Sequence, residues 1–410
     1  MTRSFTVMPV TDPIDRVSAD VAARVHPRQR MLKYLLPEVI FGIGSLSEVG
    51  NALERTGALR PLLVTDPGIE AAGWVDRTLA YIGHCGFEVA VWDGVSSNPK
   101  DIEIERGFER FRELGCDAVV AVGGGSPIDA AKAIAVLSTN GGSIIDYEGV
   151  GRIGSPVPPM VVLPTTAGTG ADVSQFCVVT DTARRLKLTI GGRVLVPDVS
   201  ITDPYLLTTM PLEIGAYTGI DTLVHAIEAY VSKGASFLSD SHALWAVRNI
   251  VKYLPITLDR PDDLAAREGT ARASLQAGIA FSNALLGATH AISHQIGGWL
   301  DLHHGLVNAI LLPHVIRFNG ETHPRRYLDI AEVLGIETDL VNPRYTVEAL
   351  ADRVRQIAAD AGIPSDLSSI GVVKEDIPMF AENALHDAYI TANPRPLTVE
   401  DVYEICVAAL

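Results

Sequence analysis

Four of the eleven histidines in this 410-residue chain fall within residues 288–305, ATHAISHQIGGWLDLHHG, and a fifth lies upstream in GIDTLVHAIEAY. Asp221 and His225 are four residues apart, as are His290 and His294. Four residues is just over one helical turn, so each pair projects from one face of its helix. One carboxylate with up to three imidazoles and no thiolate is a ligand set for Fe(II), Zn(II) or another first-row divalent ion. Histidines satisfied inside a helical core would show the same spacing, so the spacing alone leaves both readings open. A zinc-protease pattern is excluded. In H-E-x-x-H the general base follows the first His, whereas HAISH has Ala291 there and no acid before His294.

A second stretch could hold an anion. DAVVAVGGGSPIDAAKAIAVL reads as a strand, three glycines and a helix, with Ser126 as N-cap and Pro127 in the first turn. Gly123, Gly124 and Gly125 would let a pyrophosphate approach the backbone where the helix N-terminus presents free N–H groups and a partial positive charge. The spacing is neither G-x-G-x-x-G nor a Walker A, so the residues alone describe a generic phosphate loop or a tight turn that needs glycine. Asp66 closes the run LLVTD. An acid at such a strand end accepts hydrogen bonds from an adenosine ribose and repels a 2′-phosphate, which favours NAD over NADP. An Asp-Pro-Gly turn would also account for it.

The elements that must position these groups divide the chain. Strands are expected over 61–66, 88–93, 117–122 and 160–164, with helices over 45–57, 75–86, 101–115 and 127–137, which gives a parallel α/β sheet. Residues 173–180 and 185–190 could pair as further strands. Beyond Asp203-Pro204 the pattern becomes helix after helix: 211–232, 239–254, 263–286, 305–318, 324–334, 346–361, 375–388 and 398–409. The organisation expected is an extension over 1–32, an α/β domain over 33–204 and an all-helical domain over 205–410, with the active site in the cleft between the last two. Ile14, Val17, Val21 and Val25 recur at helical spacing within the extension, which fits packing against the body or, as the alternative, a neighbouring subunit.

Bulk properties narrow the partners. With 47% apolar and 20% charged residues the composition is that of a globular protein, and a net charge of −16 opposes nucleic acid or an anionic membrane as partner. Cys85, Cys116, Cys177 and Cys406 are scattered without a C-x-x-C, as reduced thiols in the cytoplasm would be. MTRSFTVMPVTDPID lacks the apolar core of a signal peptide, and no later run reaches the ~20 apolar residues of a membrane span, so the protein is expected to be neither exported nor inserted.

GIDTLVHAIEAYVS, HAISHQIGGWLDLHHGLVNAILLPHV and GGGSPIDAAK together resemble the iron-containing (group III) alcohol dehydrogenases, from about residue 33 to the C-terminus. The resemblance implies the dehydroquinate synthase-like architecture, an α/β dinucleotide-binding domain followed by an all-helical metal-binding domain. It implies that Asp221, His225, His290 and His304 bind one divalent ion, Fe(II) with Zn(II) as the alternative. His303 stands where the family has Pro, and Gly305 follows His304 as the family pattern requires. By the same resemblance Gly123, Gly124, Gly125 and Ser126 carry the pyrophosphate of NAD. Asp129, together with Thr165, Thr166 and Thr169 of PTTAGTG, lines that cofactor, and Asn98 and Lys187 fall where the family contacts it. Ala171-Asp172 replaces a Ser-Glu pair, and Tyr389 stands where relatives carry Cys.

The activity implied is reversible hydride transfer between a small neutral primary alcohol or aldehyde and NAD, in a homo-oligomer. His294 would line the pocket and relay the proton, with a supporting or purely structural role as its alternative. A lyase resembling the dehydroquinate synthases is the competing reading, and a non-catalytic scaffold is a third. The lyase would need cations for a phosphorylated substrate, and residues 273–316 contain no Lys or Arg.

Overall fold

The structure is a computed structural model that describes residues 33–410; the arm bearing Ile14, Val17, Val21 and Val25 lies outside the described residues. In the first half the chain forms β1 (Glu38–Phe41), α1 (Val49–Thr56), β2 (Pro61–Val64), α2 (Pro67–Ala71), α3 (Trp74–His84), β3 (Ala90–Trp92), α4 (Asp101–Glu113), β4 (Ala118–Gly123), α5 (Gly125–Asn140), β5 (Gly149–Val150), β6 (Met160–Pro164), β7 (Phe176–Asp181), β8 (Leu186–Gly191) and β9 (Val199–Thr202). Six strands make one parallel sheet in the order β1-β9-β6-β4-β2-β3. Its central strands are continuous apolar runs because helices cover both faces; every residue of β2, β4 and β6 is buried. β7 and β8 pair antiparallel, and β5 adds to β8 to complete a separate three-stranded sheet.

The second half is helical: α6 (Leu212–Val231), α7 (Phe237–Asp259), α8 (Leu264–Ala284), α9 (Ala288–Leu300), α10 (His304–Gly320), α11 (Pro324–Val333), α12 (Pro343–Asp360), α13 (Ile377–Ala384) and α14 (Val399–Ala408). α6 is buried almost all round, as suits a helix packed against α7, α8 and α10 at once. Residues Leu35–Leu410 form one compact unit, so the two halves share a continuous body.

Three local expectations are corrected. β1, β5 and β9 were not foreseen: β5 is only two residues long, β1 is an edge strand with no fully buried residue, and β1 and β9 meet across the whole first half. Helix α5 starts earlier than expected: its N-cap is Gly124, and Ser126 lies within the first turn, where its Oγ accepts from the Asn98 N–H at 3.2 Å. The helix expected over 375–388 stops at Ala384, because Asp387 caps a separate 3-10 turn, Ala388–Ala392, by accepting from the Tyr389 N–H.

Candidate active site

A cavity of about 770 Å3 opens where the C-terminal ends of β2, β3, β4 and β6 meet the helical half. All the expected site residues line it except Gly123, which ends β4 one position behind the wall.

Two helices and the start of a third build one end. Asp221, His225 and Glu228 share a face of α6, α9 brings His290 and His294, and α10 begins at His304. Gly305 permits the meeting: a Cβ there would lie 2.3 Å from the Tyr217 carbonyl oxygen and 3.1 Å from Asp221 Cβ. As a result the ligand atoms of Asp221, His290 and His304 lie within 4.8 Å of one another. His225 borders this trio, with Nε2 3.8 Å from Asp221 Oδ2 and its ring stacked on that of His290 at 4.7 Å. Of the adjacent pair, His304 enters the cluster while the His303 ring rests against Tyr217 at 5.1 Å.

Hydrogen bonds fix which nitrogen each imidazole offers. His225 Nδ1 is 3.0 Å from the Gly168 carbonyl and His290 Nδ1 is 2.6 Å from Glu228 Oε2. Both partners are acceptors, so each Nδ1 carries the proton and each Nε2 keeps its lone pair. Asn308 Nδ2 lies 2.8 Å from Asp221 Oδ1, 3.1 Å from His290 Nε2 and 2.9 Å from His304 Nε2. An amide nitrogen has two hydrogens and here meets three acceptors, while its own Oδ1 is buried without a partner. That surplus of lone pairs among buried side chains suits a cation. Burial pushes the His225 imidazole down to about 4, and it holds His304 well below its usual value with help from the neighbouring histidines. Both are therefore neutral near pH 7, as ligands must be. The Glu228 carboxyl is pushed up by burial, but its hydrogen bond to His290 and those at Thr289 outweigh this and hold it below its usual value.

The other end is built by the α/β half. A Cβ on Gly124 would come within 3.2 Å of Thr166 and one on Gly125 within 2.9 Å of Thr169, so the glycine loop leaves room only for backbone. Thr165 Oγ1 and Thr166 Oγ1 are buried without hydrogen-bond partners, two hydroxyls set beside the start of α5. These are donors of the kind a pyrophosphate takes. Asp66 caps α2, with Oδ1 accepting from Gly68 N at 2.8 Å and Ile69 N at 3.0 Å, while the residue also faces the cavity. Asn98 holds a left-handed backbone (φ 56°), receives the Lys187 ammonium on Oδ1 at 2.7 Å and donates to Asp301 Oδ1 at 2.8 Å, which ties β8 to the end of α9.

Two family models match along the chain: iron-containing alcohol dehydrogenase over residues 37–204, and the C-terminal domain of the Fe-containing alcohol dehydrogenase family over residues 215–410. A 1,3-propanediol dehydrogenase of Citrobacter freundii is 42% identical over 92% of this chain and 98% of its own length. An NAD-dependent methanol dehydrogenase of Bacillus methanolicus is 38% identical over 92% of this chain and 99% of its own. A crystal structure of a 1,3-propanediol oxidoreductase superposes with a TM-score of 0.89 at 41% identity, covering 93% of this chain and 100% of that one. The chain belongs to the iron-containing alcohol dehydrogenase family. It is an NAD-dependent alcohol and aldehyde oxidoreductase that uses a divalent metal, and the lyase and scaffold readings gain no support from these likenesses.

Within this alcohol dehydrogenase the structure adds residues that sequence reasoning missed. Glu228 is three residues after His225 and Asn308 four after His304, so helical spacing could have found both. Asp387, which accepts from His294 Nδ1 at 2.7 Å, arrives from 93 residues away and left no local signal. Lys187, expected beside the cofactor, is carried into the cavity wall by β8, and burial pulls its ammonium down to about 8. Asp172, in the replaced Ser-Glu position, accepts from Ser200 Oγ at 3.0 Å inside the fold.

Asp129 gives a pH-dependent prediction for the dehydrogenase. Burial pushes its carboxyl up to about 7, against the opposing pull of Lys132 and the Val178 N–H. Between the ordinary carboxylate value and 7 the folded chain binds a proton that the unfolded chain has released, so this group's contribution to stability is lost as pH rises through that window. Asp129→Asn removes the cost, and its stability relative to wild type is expected to be higher at pH 8.5 than at pH 5.5. Urea midpoints at both pH values check this; an equal difference at the two would show that Asp129 does not titrate there.

Proposed function

We propose that Asp221, His225, His290 and His304 hold one divalent ion, Fe(II) with Zn(II) as the alternative, and that NAD lies along the glycine loop with its nicotinamide toward those histidines. The observation that carries this is the single cavity joining the buried Asp-His cluster to the glycine loop. When bound, the ion supplies a Lewis acid for an alcohol or carbonyl oxygen and the nicotinamide supplies the hydride acceptor or donor. The rest falls to the chain's own side chains. Gly124, Gly125, Ser126 and the two unpartnered threonines bind the pyrophosphate, Asn98, Asp129, Thr169 and Lys187 orient the cofactor, and Gly123 sets the turn. His294 donates its Nδ1–H to the Asp387 carboxylate as a hydrogen bond, which leaves the Nε2 lone pair as the atom that takes up or returns the substrate's proton. Phe176, Phe281 and Leu286 exclude water around it.

The same reading divides the protein into an extension over 1–32, a cofactor domain over 33–204 and a metal domain over 205–410. It makes the protein a cytoplasmic homo-oligomer, supported by four free cysteines and by the exposed Leu340, Val341 and Tyr345. Among the described residues no helix is long and apolar enough to cross a membrane. Anaerobic purification with metal analysis, followed by NADH absorbance over a panel of alcohols and aldehydes, tests the activity; stoichiometric metal without turnover on any of them would sink it.

Asp66 tests the cofactor end separately. A carboxylate close to a 2′-phosphate should cost NADP on the order of 1 to 3 kcal/mol, roughly tenfold to a hundredfold in affinity. Asp66→Gly is expected to lower kcat/KM for NAD and raise it for NADP. If both fall together with their ratio unchanged, Asp66 serves only as the cap of α2.

A further inference from the structure

The end of the cavity around His290 and His294 is walled by Phe176, Phe281, Leu286 and Tyr389. The first three present only hydrocarbon. Tyr389 is 3% exposed, stands edge-on to Phe176 at 5.5 Å, and has its ring 5.8 Å from that of His294 and 6.1 Å from that of His290. Its place is set through one carboxylate: Asp387 Oδ1 accepts from the Tyr389 N–H at 2.9 Å while Oδ2 accepts from His294 Nδ1 at 2.7 Å. The phenol is thereby fixed relative to the imidazole. Its oxygen makes no hydrogen bond with any described residue, although it belongs to a side chain lining the cavity. Burial, reinforced by Asp387 and Asp129, holds the phenol well above its usual value, so it remains a neutral O–H.

We propose that Tyr389 selects the substrate by hydrogen-bonding a second hydroxyl group, so that the preferred class is short diols and hydroxyaldehydes rather than simple alkanols. This rests on the alcohol and aldehyde reading above. An alkyl tail packed between Tyr389 and the hydrocarbon of Phe176, Phe281 and Leu286 would leave the phenol hydroxyl unpaired, whereas a substrate hydroxyl satisfies it. A site built to bond a substrate hydroxyl discriminates against the analogue that lacks one far better than a greasy slot discriminates by size. The edge contact with Phe176 and the Asp387 tether keep the ring from turning away to find another partner.

The test compares propane-1,3-diol with butan-1-ol, a near-isostere in which methyl replaces hydroxyl. kcat/KM for each alcohol and KM for NAD are measured on metal-loaded wild type and on Tyr389→Phe, which keeps the ring and its packing. The ratio of diol to butanol is expected to fall about tenfold in the variant. A ratio within about twofold of wild type overturns the proposal. So does an altered KM for NAD at constant ratio, since the hydroxyl would then belong to the cofactor. Failure of the metal-loaded wild type to oxidise either alcohol would instead overturn the alcohol reading, and this inference with it.

Discussion

His290→Ala will strip the protein of its divalent metal and lower kcat/KM on the order of a thousandfold or more, the several kcal/mol that a Lewis acid contributes to such a step. His290 is the hub of the cluster: its Nε2 lies 3.9 Å from Asp221 Oδ1, its ring meets those of His225 and His304, and Glu228 fixes its tautomer. The fold should survive the change. Glu228 would still accept from Gly287 N at 3.1 Å and Thr289 N at 2.7 Å, so the start of α9 remains anchored. Metal content per protomer, far-ultraviolet dichroism and NADH formation are the measurements. A folded variant that retained near-stoichiometric metal would remove His290 from the site.

Gly305→Ala, the addition of one methyl group, is expected to destabilise the protein by about 1 to 3 kcal/mol and to weaken metal retention at the same time. The obstacle is the Tyr217 carbonyl oxygen, 2.3 Å from the added carbon, and backbone in the middle of α6 cannot step aside as a flexible side chain can. Relief comes only by moving the start of α10, which carries His304 away from Asp221. Gly83→Ala is the matched control, because Gly83 is exposed in α3 and an added Cβ meets nothing within 4 Å. Denaturant melts and chelator competition on both variants decide the matter; equal behaviour would mean that α10 has room to spare.

How much was legible in the sequence follows from how far apart the interacting residues lie. The histidine pairs and the apolar run of β6 were readable because helical spacing and a strand buried on both faces are local patterns. β1 was not, because it lies at the sheet edge with no fully buried residue and its partner comes at the far end of the first half; β9, buried throughout between β1 and β6, is a four-residue run that was missed. In the site, the trio of Asp221, His290 and His304 and the candidacy of Lys187 followed from family resemblance, whereas the Asp387 bond to His294 depends on a contact that only the folded chain makes. Glu228 and Asn308 lay within reach of the helical argument that found their neighbours.

The position of β9 between β1 and β6 also orders events on the ribosome. β1 is the first strand among the described residues, yet its mate begins at Val199, and the Asp203 carboxylate that accepts from the Gly44 and Leu46 N–H groups emerges later still. A nascent chain that ends before β9 can pair β6, β4, β2 and β3, but it leaves the edge of β6 open and β1 without a partner. An open edge of that kind recruits other strands, so stalled or truncated chains of this length are natural chaperone clients. Once residues 199–203 have left the exit tunnel the six-stranded sheet can close, and at that point His290 and His304, two of the proposed metal ligands, have not yet been synthesised. Vectorial synthesis therefore completes the sheet of the nucleotide fold first and leaves metal loading to the end.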